Sequence, residues 1–344
     1  MPGPAELLFL SQEDVVAAGG LEMGPTIEVV REALRLHALG ETRLPFKPMI
    51  RWGDGLDSEE REGRIMAMPA YVGGAMDVAG LKWIPSVPGN PARGLPRGIG
   101  LIVLTARETG LPLAVMDGTV VSAMRTGAVT GLACTLLAVP GAATVALLGA
   151  GVQARTQLMG LREVLPSLRE VRVWDVAEGG AAEFCRRESQ PGGPDMVPTG
   201  DPEEACRGAD VIVPVTMAPA PYVPPDWVRP GTLFVSISSL DPTVELIRQS
   251  DVLVCDVWEH ESGHAARPFA RAVAAGAVRR EEVLELGDLV TGRREGRTSP
   301  EQRVFVSPIG LAIEDVAAAH RVYLRAGELG LGTPLALWRE PLWR

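Results

Sequence analysis

Lysine is almost absent from this chain: of 33 basic residues in 344, only Lys47 and Lys82 are lysine, and the other 31 are arginine. Acidic residues number 43, which leaves a net charge of -10 and no basic face of the kind that phosphate backbones require. Nucleic acid is therefore excluded as a main partner. Cysteine is scarce too. Cys134, Cys185, Cys206 and Cys255 lie far apart with no Cys-x-x-Cys pair and no charged, apolar leader before them, so they read as ordinary buried thiols of a cytoplasmic protein. No long hydrophobic run is intact: the uncharged stretch from Thr126 to Ala154 is broken by Gly127, Gly131, Pro140, Gly141, Gly149 and Gly151. A membrane-spanning helix, and with it a membrane partner, is not expected.

Apolar residues make up 46%, enough for proper cores, and the length suits about two domains. Two regimes follow each other. Residues 11–39 read as helical, with Ser11 as a cap and Ile27, Val30, Leu34 and Ala38 near one face. From Arg43 to Asp117 short apolar runs alternate with Gly/Pro turns, as strands do. Ser122 to Leu137, rich in small residues, reads as a helix leading into the second regime. There, runs at Thr144 to Leu148, Glu170 to Trp174, Ala209 to Val215, Thr232 to Ile237 and Asp251 to Cys255 alternate with helical or loop segments, which predicts a parallel sheet covered on both faces. Pro191 to Pro202 reads as a surface connection, and the Arg/Glu-rich run from Arg279 to Arg297 as a solvated face or turn. Ala312 to Gly330 reads as a late helix whose first-turn Glu314 and Asp315 suit the helix dipole.

The first strand of the second regime runs into Gly149-Ala150-Gly151-Val152-Gln153-Ala154, a Gly-x-Gly-x-x-Ala loop between a predicted strand and a predicted helix. Gly149 permits the tight turn, Gly151 lets the backbone approach a pyrophosphate, and Ala154 lets helix and strand pack closely. Asp175 closes the next strand, where a carboxylate accepts hydrogen bonds from a ribose diol and repels a 2′-phosphate. The expected cofactor is NAD, with NADP less favoured, and nearby Arg172 softens that preference. His260-Glu261-Ser262-Gly263-His264 matches a zinc-protease pattern, but Ser262-Gly263 and Pro268 oppose the helix such a site needs. It reads as a loop near the active cleft, and no metal is expected.

With the loop placed, a set of motifs resembles the ornithine cyclodeaminase and mu-crystallin family: Gly80-Leu81-Lys82-Trp83, Asn90-Pro91, Thr109-Gly110-Leu111-Pro112-Leu113-Ala114, Met116-Asp117-Gly118, Arg125-Thr126-Gly127-Ala128, the glycine loop through Arg155, and Ser307-Pro308-Ile309-Gly310 leading into Ile313-Glu314-Asp315. The resemblance implies an α/β chain in which a Rossmann domain, residues 126–311, is inserted into an α+β substrate and dimerisation domain, residues 1–125 and 312–344, forming a homodimer. It implies that Lys82 and Arg125 hold a substrate α-carboxylate, that Lys47 stands where much of the family has a carboxylate-binding Arg, and that Asp241 is the catalytic acid/base beside Lys82. Arg125, Thr126, Gly149, Gly151, Val152, Gln153, Asp175, Thr216, Ser307 and Gly310 are the implied cofactor contacts.

Two departures count against ornithine as substrate. Met66 stands where ornithine cyclodeaminases carry a Glu, and Asp241 is followed by Pro242 and Thr243 rather than Gly-Lys. The sequence is more similar to the siderophore-pathway branch that cleaves N-(2-amino-2-carboxyethyl)-L-glutamate to 2,3-diaminopropionate and 2-oxoglutarate while reducing NAD. Such a small anionic, amino-acid-like substrate places Met66 and Lys47 in its pocket, with Arg43 or Arg51 for distal carboxylates. The alternatives are a cyclodeaminase, a ketimine or imine reductase, an alanine-dehydrogenase-like enzyme and, outside enzymes, a crystallin-like dinucleotide-binding protein.

Overall fold

A computed structural model describes residues 5–53 and 62–343. The chain divides into two compact units, Met1–Arg125 with Leu311–Arg344, and Thr126–Gly310.

The first unit holds strands β1 (Ala5–Leu10), β2 (Thr42–Arg43), β3 (Met49–Trp52), β4 (Gly63–Val72), β5 (Val78–Ser86), β6 (Leu101–Ala106) and β7 (Pro112–Asp117), joined late in the chain by Thr333–Trp338. They form one sheet in which Thr333–Trp338 is an edge beside β1, followed by β7, β6, β5, β4 and β2, with β3 also on β4. The pairs are antiparallel except β1 with β7. Alternation along the strands separates two faces. Met68, Lys82, Ile102 and Met116 share a buried inner face, with helix Ala312–Leu329 against β4, β5 and β6. Ile65, Ala67, Trp83 and Leu101 share the outer face. The mostly helical stretch expected over residues 11–39 is two helices: Gln12–Val15, capped by Ser11, is followed by a kink with Gly19 at φ 81° before Met23–Ala38 begins. The Gly19-Gly20 pair causes the break, since left-handed backbone there excludes other residues.

The second unit carries β8 (Thr144–Leu148), β9 (Glu170–Trp174), β10 (Asp195–Pro198), β11 (Val211–Pro214), β12 (Leu233–Val235), β13 (Val252–Cys255), β14 (Val283–Glu285) and β15 (Val304–Ser307). All pairs are parallel, in the order β10-β9-β8-β11-β12-β15-β13-β14. This is a doubly wound Rossmann sheet whose order reverses between β8 and β11, the point at which such sheets bind ligands. Three strands differ from the sequence expectation. β10 lies in the proline-rich stretch read as a loop and is an edge strand, where Pro198 breaks no ladder on its free side. The run read as a solvated face contains β14 and the helix Leu286–Val290, and β15 is inserted between β12 and β13. The core beneath this sheet includes Phe234 stacked on Phe305, ring centroids 5.5 Å apart.

Helix Gly118–Leu137 is long and apolar enough to cross a membrane by length and composition, with mean hydropathy 1.4, yet 72% of that window is buried. Its small residues have a packing role: a side chain at Gly160, in helix Val152–Val164, would press on the Gly127 carbonyl. The four cysteines are free and buried.

Candidate active site

In the first unit Lys82 sits mid-strand in β5, between Met68 of β4 and Ile102 of β6, with 1% exposure. Its Nζ lies 2.7 Å from Asp315 Oδ2 and donates to Ser122 Oγ at 3.0 Å. Arg125 is buried beside it, donating from Nε to Asp315 Oδ1 and from Nη1 to Glu314 Oε2, each at 2.9 Å. Burial first, and then the Arg125 charge, push the Lys82 ammonium down to about 7; Asp315 opposes this and Lys47 adds to it. The structure therefore brings Lys47, Lys82 and Arg125 near one another.

It also adds two carboxylates that the sequence reading placed only at a helix dipole. Glu314 and Asp315, the third and fourth residues of helix Ala312–Leu329, are both fully buried and are the counterions of the cluster. Their signal was Glu-Asp at the start of a helix whose first half is otherwise apolar, two acids in a first turn that faces inward. Because Arg125 commits Nε and Nη1 to them, its guanidinium plane is fixed, and only its remaining edge is left to hold a carboxylate. Met66 lies on the inner face, one step along β4 from Met68. Arg43, offered as a distal cation, pairs with Tyr71 on the other face and donates to the Gly40 and Thr42 carbonyls. It belongs to a turn rather than to this site.

In the second unit the glycine loop follows β8. Gly149 has φ 110°, and a Cβ there would lie 3.1 Å from the Val215 carbonyl oxygen. A Cβ on Gly151 would meet nothing within 4 Å. Helix Val152–Val164 starts at Gly151 with no side-chain cap, so its first N–H groups are left for an anion; Val152 is exposed, Gln153 stands in the first turn and Ala154 is buried. Asp175 accepts from the Ala150 N–H at 2.7 Å and the Ala177 N–H at 2.8 Å. It thus holds the loop, at the end of β9 where the sequence places a ribose-binding carboxylate. Arg172 is tied to Glu170 and to the Arg207 carbonyl, which removes it as a modifier of cofactor preference. These residues fit a dinucleotide pyrophosphate.

The remaining expected residues fall differently. Thr126 follows Arg125 in helix Gly118–Leu137 and is half-buried. Asp241 is 0% exposed: one carboxylate oxygen accepts from Thr216 and the other from Ser238, while its carbonyl accepts from the Tyr222 and Val223 N–H groups at 2.9 Å. Burial and the Asp241 charge push the Tyr222 phenol up. Arg271 donates to the Ser239 and Pro242 carbonyls on either side. These contacts enclose the carboxylate, hold its loop and orient Thr216. Ser307 is also fully buried, donating to Glu261 at 2.7 Å and accepting from Arg267 at 3.1 Å. The Gly310 N–H donates to Asp256. Both of these expected cofactor contacts spend the named group inside the unit. Glu261, from the zinc-protease pattern, pairs with Arg267 at 2.7 Å. The stretch read as a loop contains a one-turn helix, Trp258–Ser262, which ends before His264.

The sequence profile of the ornithine cyclodeaminase/mu-crystallin family matches residues 6–329. The chain is 32% identical over 336 residues to the N-((2S)-2-amino-2-carboxyethyl)-L-glutamate dehydrogenase of Staphylococcus aureus, covering 97% of this chain and 99% of that protein. Among solved structures it is similar to Thermococcus litoralis Delta(1)-pyrroline-2-carboxylate reductase in complex with NADH and L-proline, with TM-score 0.86, 30% identity and coverage of 95% and 99%. It is also similar to an archaeal alanine dehydrogenase dimer with bound NAD, with TM-score 0.85, 34% identity and coverage of 97% and 100%. A dinucleotide loop at the switch point of one unit, a desolvated lysine–arginine cluster in the other, and a profile spanning both lead to one assignment: the chain belongs to the ornithine cyclodeaminase/mu-crystallin family.

Proposed function

We propose that this chain is an NAD-dependent oxidoreductase acting on the C–N bond of an amino acid or N-carboxyalkyl amino acid. Its proposed substrate is N-(2-amino-2-carboxyethyl)-L-glutamate, which with NAD and water gives 2,3-diaminopropionate, 2-oxoglutarate, NADH and a proton. The observation that carries this reading is the desolvated Lys82–Arg125 pair in a chain with a complete dinucleotide loop.

When bound, NAD supplies the hydride acceptor, held by Gly149, Gly151, Val152 and Gln153, with Thr126 and Thr216 as further contacts. Asp175 takes the ribose diol and disfavours NADP. The chain's own side chains do the rest. Arg125, Lys82 and Lys47 bind the substrate carboxylate and so fix the carbon beside the nitrogen. Lys82 Nζ, poised near neutrality, accepts a proton as the C–N bond is oxidised and then assists the attacking water, while Asp315 keeps it in place. Met66 offers no charge for a side-chain ammonium, which disfavours ornithine. Similarity to alanine dehydrogenase favours simple oxidative deamination as the second reading.

NADH formation measured with N-(2-amino-2-carboxyethyl)-L-glutamate, alanine and ornithine tests both. NADH from the first substrate alone supports the proposal, and from alanine alone the second. Ammonia without net NADH, or NADH consumed on cyclic imines, replaces both by a cyclodeaminase or a reductase. Silence with every substrate leaves a dinucleotide-binding protein.

The protein's proposed partner is a second copy. Among the described residues the outer face of the first unit's sheet is apolar and exposed, with Ile50 at 62%, Trp83 at 43% and Leu101 at 45% exposure. Apolar patches of this kind mark interfaces, and a similar protein is a dimer. Mass in solution should be twice the chain mass, and Trp83→Glu with Leu101→Glu should halve it.

A further inference from the structure

Lys82 offers its nitrogen in one direction. An ammonium carries three N–H bonds, whereas the neutral amine has two N–H bonds and a lone pair in the same tetrahedral arrangement. Asp315 Oδ2 lies 2.7 Å from Nζ, and Ser122 Oγ accepts from it at 3.0 Å. Both acceptors stay engaged when the nitrogen loses a proton, so the lone pair takes the third position. That loss comes within reach at neutrality, because burial and then the Arg125 charge push the ammonium down to about 7. Desolvation beside a second cation is a recognised way of turning a lysine into a nucleophile.

The surroundings select what this nucleophile meets. One carboxylate, that of Asp315, bridges Lys82 and Arg125 with an oxygen to each, so the guanidinium is held beside Nζ. A ligand carboxylate on the remaining edge of Arg125 brings the carbon attached to it beside the amine. Lys82 is 1% exposed, and a site closed to water preserves a bond that water hydrolyses.

We propose that Lys82 is a covalent capture site for 2-oxo acids: its nitrogen bonds the carbonyl carbon next to the carboxylate held by Arg125 and forms an imine. The proposal rests on the reading of Lys82 and Arg125 as the carboxylate-binding pair and adds a bond-forming role to it. The Nζ lone pair attacks the carbonyl carbon, and the C=O π electrons move to oxygen. Asp315 carries the two amine protons in turn to that oxygen, the C–O bond breaks, and water leaves as C=N forms. Nothing is oxidised or reduced. Hydrolysis runs the same steps backwards, so capture is reversible, and 2-oxoglutarate, the proposed product, becomes a ligand that occupies the site.

The scarcity of lysine makes the test sharp, since Lys47 and Lys82 are the only two side-chain amines. The full chain is incubated with 2-oxoglutarate or pyruvate and cyanoborohydride, which reduces an imine to a stable secondary amine, and the adduct is located by peptide mass spectrometry. The control is 4-oxopentanoate, whose carbonyl is remote from its carboxylate. One adduct per chain should form on Lys82 with both 2-oxo acids, at least about tenfold faster than with the control, and glutarate should protect against it. Asp315→Asn should slow it by about tenfold or more; the unaltered chain decides if that variant does not fold. An adduct on Lys47 or the amino terminus alone, or equal rates with 4-oxopentanoate, overturns the proposal. NADH formed from N-(2-amino-2-carboxyethyl)-L-glutamate by a chain that yields no adduct overturns it and keeps the dehydrogenase reading. An adduct on Lys82 in a chain that oxidises no substrate keeps the capture and discards that reading.

Discussion

Asp315→Asn perturbs the centre of the buried cluster and keeps its shape. Asp315 lies 2.7 Å from Lys82 Nζ and 2.9 Å from Arg125 Nε, and it opposes the burial that pushes Lys82 down to about 7. At an effective dielectric near 20, two charges at this distance attract by roughly 6 kcal/mol, and a quarter of that exceeds one pH unit. Removing the carboxylate therefore lowers Lys82 further. If neutral Lys82 accepts the proton, the acid limb of kcat/KM falls near pH 7 in the unaltered chain and moves down by about one unit or more in Asp315→Asn. Glu314→Gln is the control: Glu314 pairs with Arg125, so this variant loses comparable stability, about 3–5 kcal/mol for a broken buried pair, while the limb stays in place. Spread over the first unit, such a loss lowers Tm by about 10 °C in either variant. The assay is kcat/KM from acid to alkaline pH, alongside thermal unfolding. A limb that stays put in Asp315→Asn, rises, or shifts equally in Glu314→Gln refutes the role given to Lys82.

Further outcomes follow from the same geometry. In a comparison with Lys82→Met, the unaltered chain should gain stability as pH rises from about 7 towards 10.5, because the folded state holds fewer protons in that window; the slope is at most about 1.4 kcal/mol per pH unit, read by denaturant unfolding. Lys82→Arg should lose activity although it keeps the charge, since a guanidinium does not deprotonate near neutrality; near-normal kcat would count against the proton-handling role. Gly149→Ala should fold but bind NADH at least about tenfold more weakly in a fluorescence titration, because φ 110° strains any side chain and a Cβ would press on Val215 at 3.1 Å, shifting the loop. Asp241→Asn should lower Tm by roughly 5–10 °C, the cost of weakening two charge-assisted hydroxyl contacts in a unit of this size, without moving the acid limb; a moved limb would restore Asp241 as the proton carrier.

Much of the fold was legible where local signals and packing agree. The runs at Thr144 to Leu148 and Glu170 to Trp174 are strands to the residue: the first is buried after Thr144 and reads as an apolar stretch, and the second alternates buried Val171 and Val173 with partly exposed Glu170, Arg172 and Trp174. β10 and β14 were not, because edge strands of three or four residues among prolines and charges carry no periodicity to detect. Within the site, Lys47, Lys82 and Arg125 stood out by rarity and motif. The partners of Asp241 and Ser307 inside the second unit were not legible, because a motif fixes a position in the chain but not the direction in which a side chain points.

By itself the sequence determined the two-regime architecture, the dinucleotide loop and the identity of the scarce lysines, all of which depend on local residue chemistry or short spacing. Tertiary structure alone decided that Lys82 faces inward while its neighbour Trp83 faces outward, since alternation assigns faces only after register and the covering helix are known. It also brought Asp315 to Arg125 across 190 residues of sequence, because a desolvated cation requires a buried counter-charge and only the returning helix supplies it.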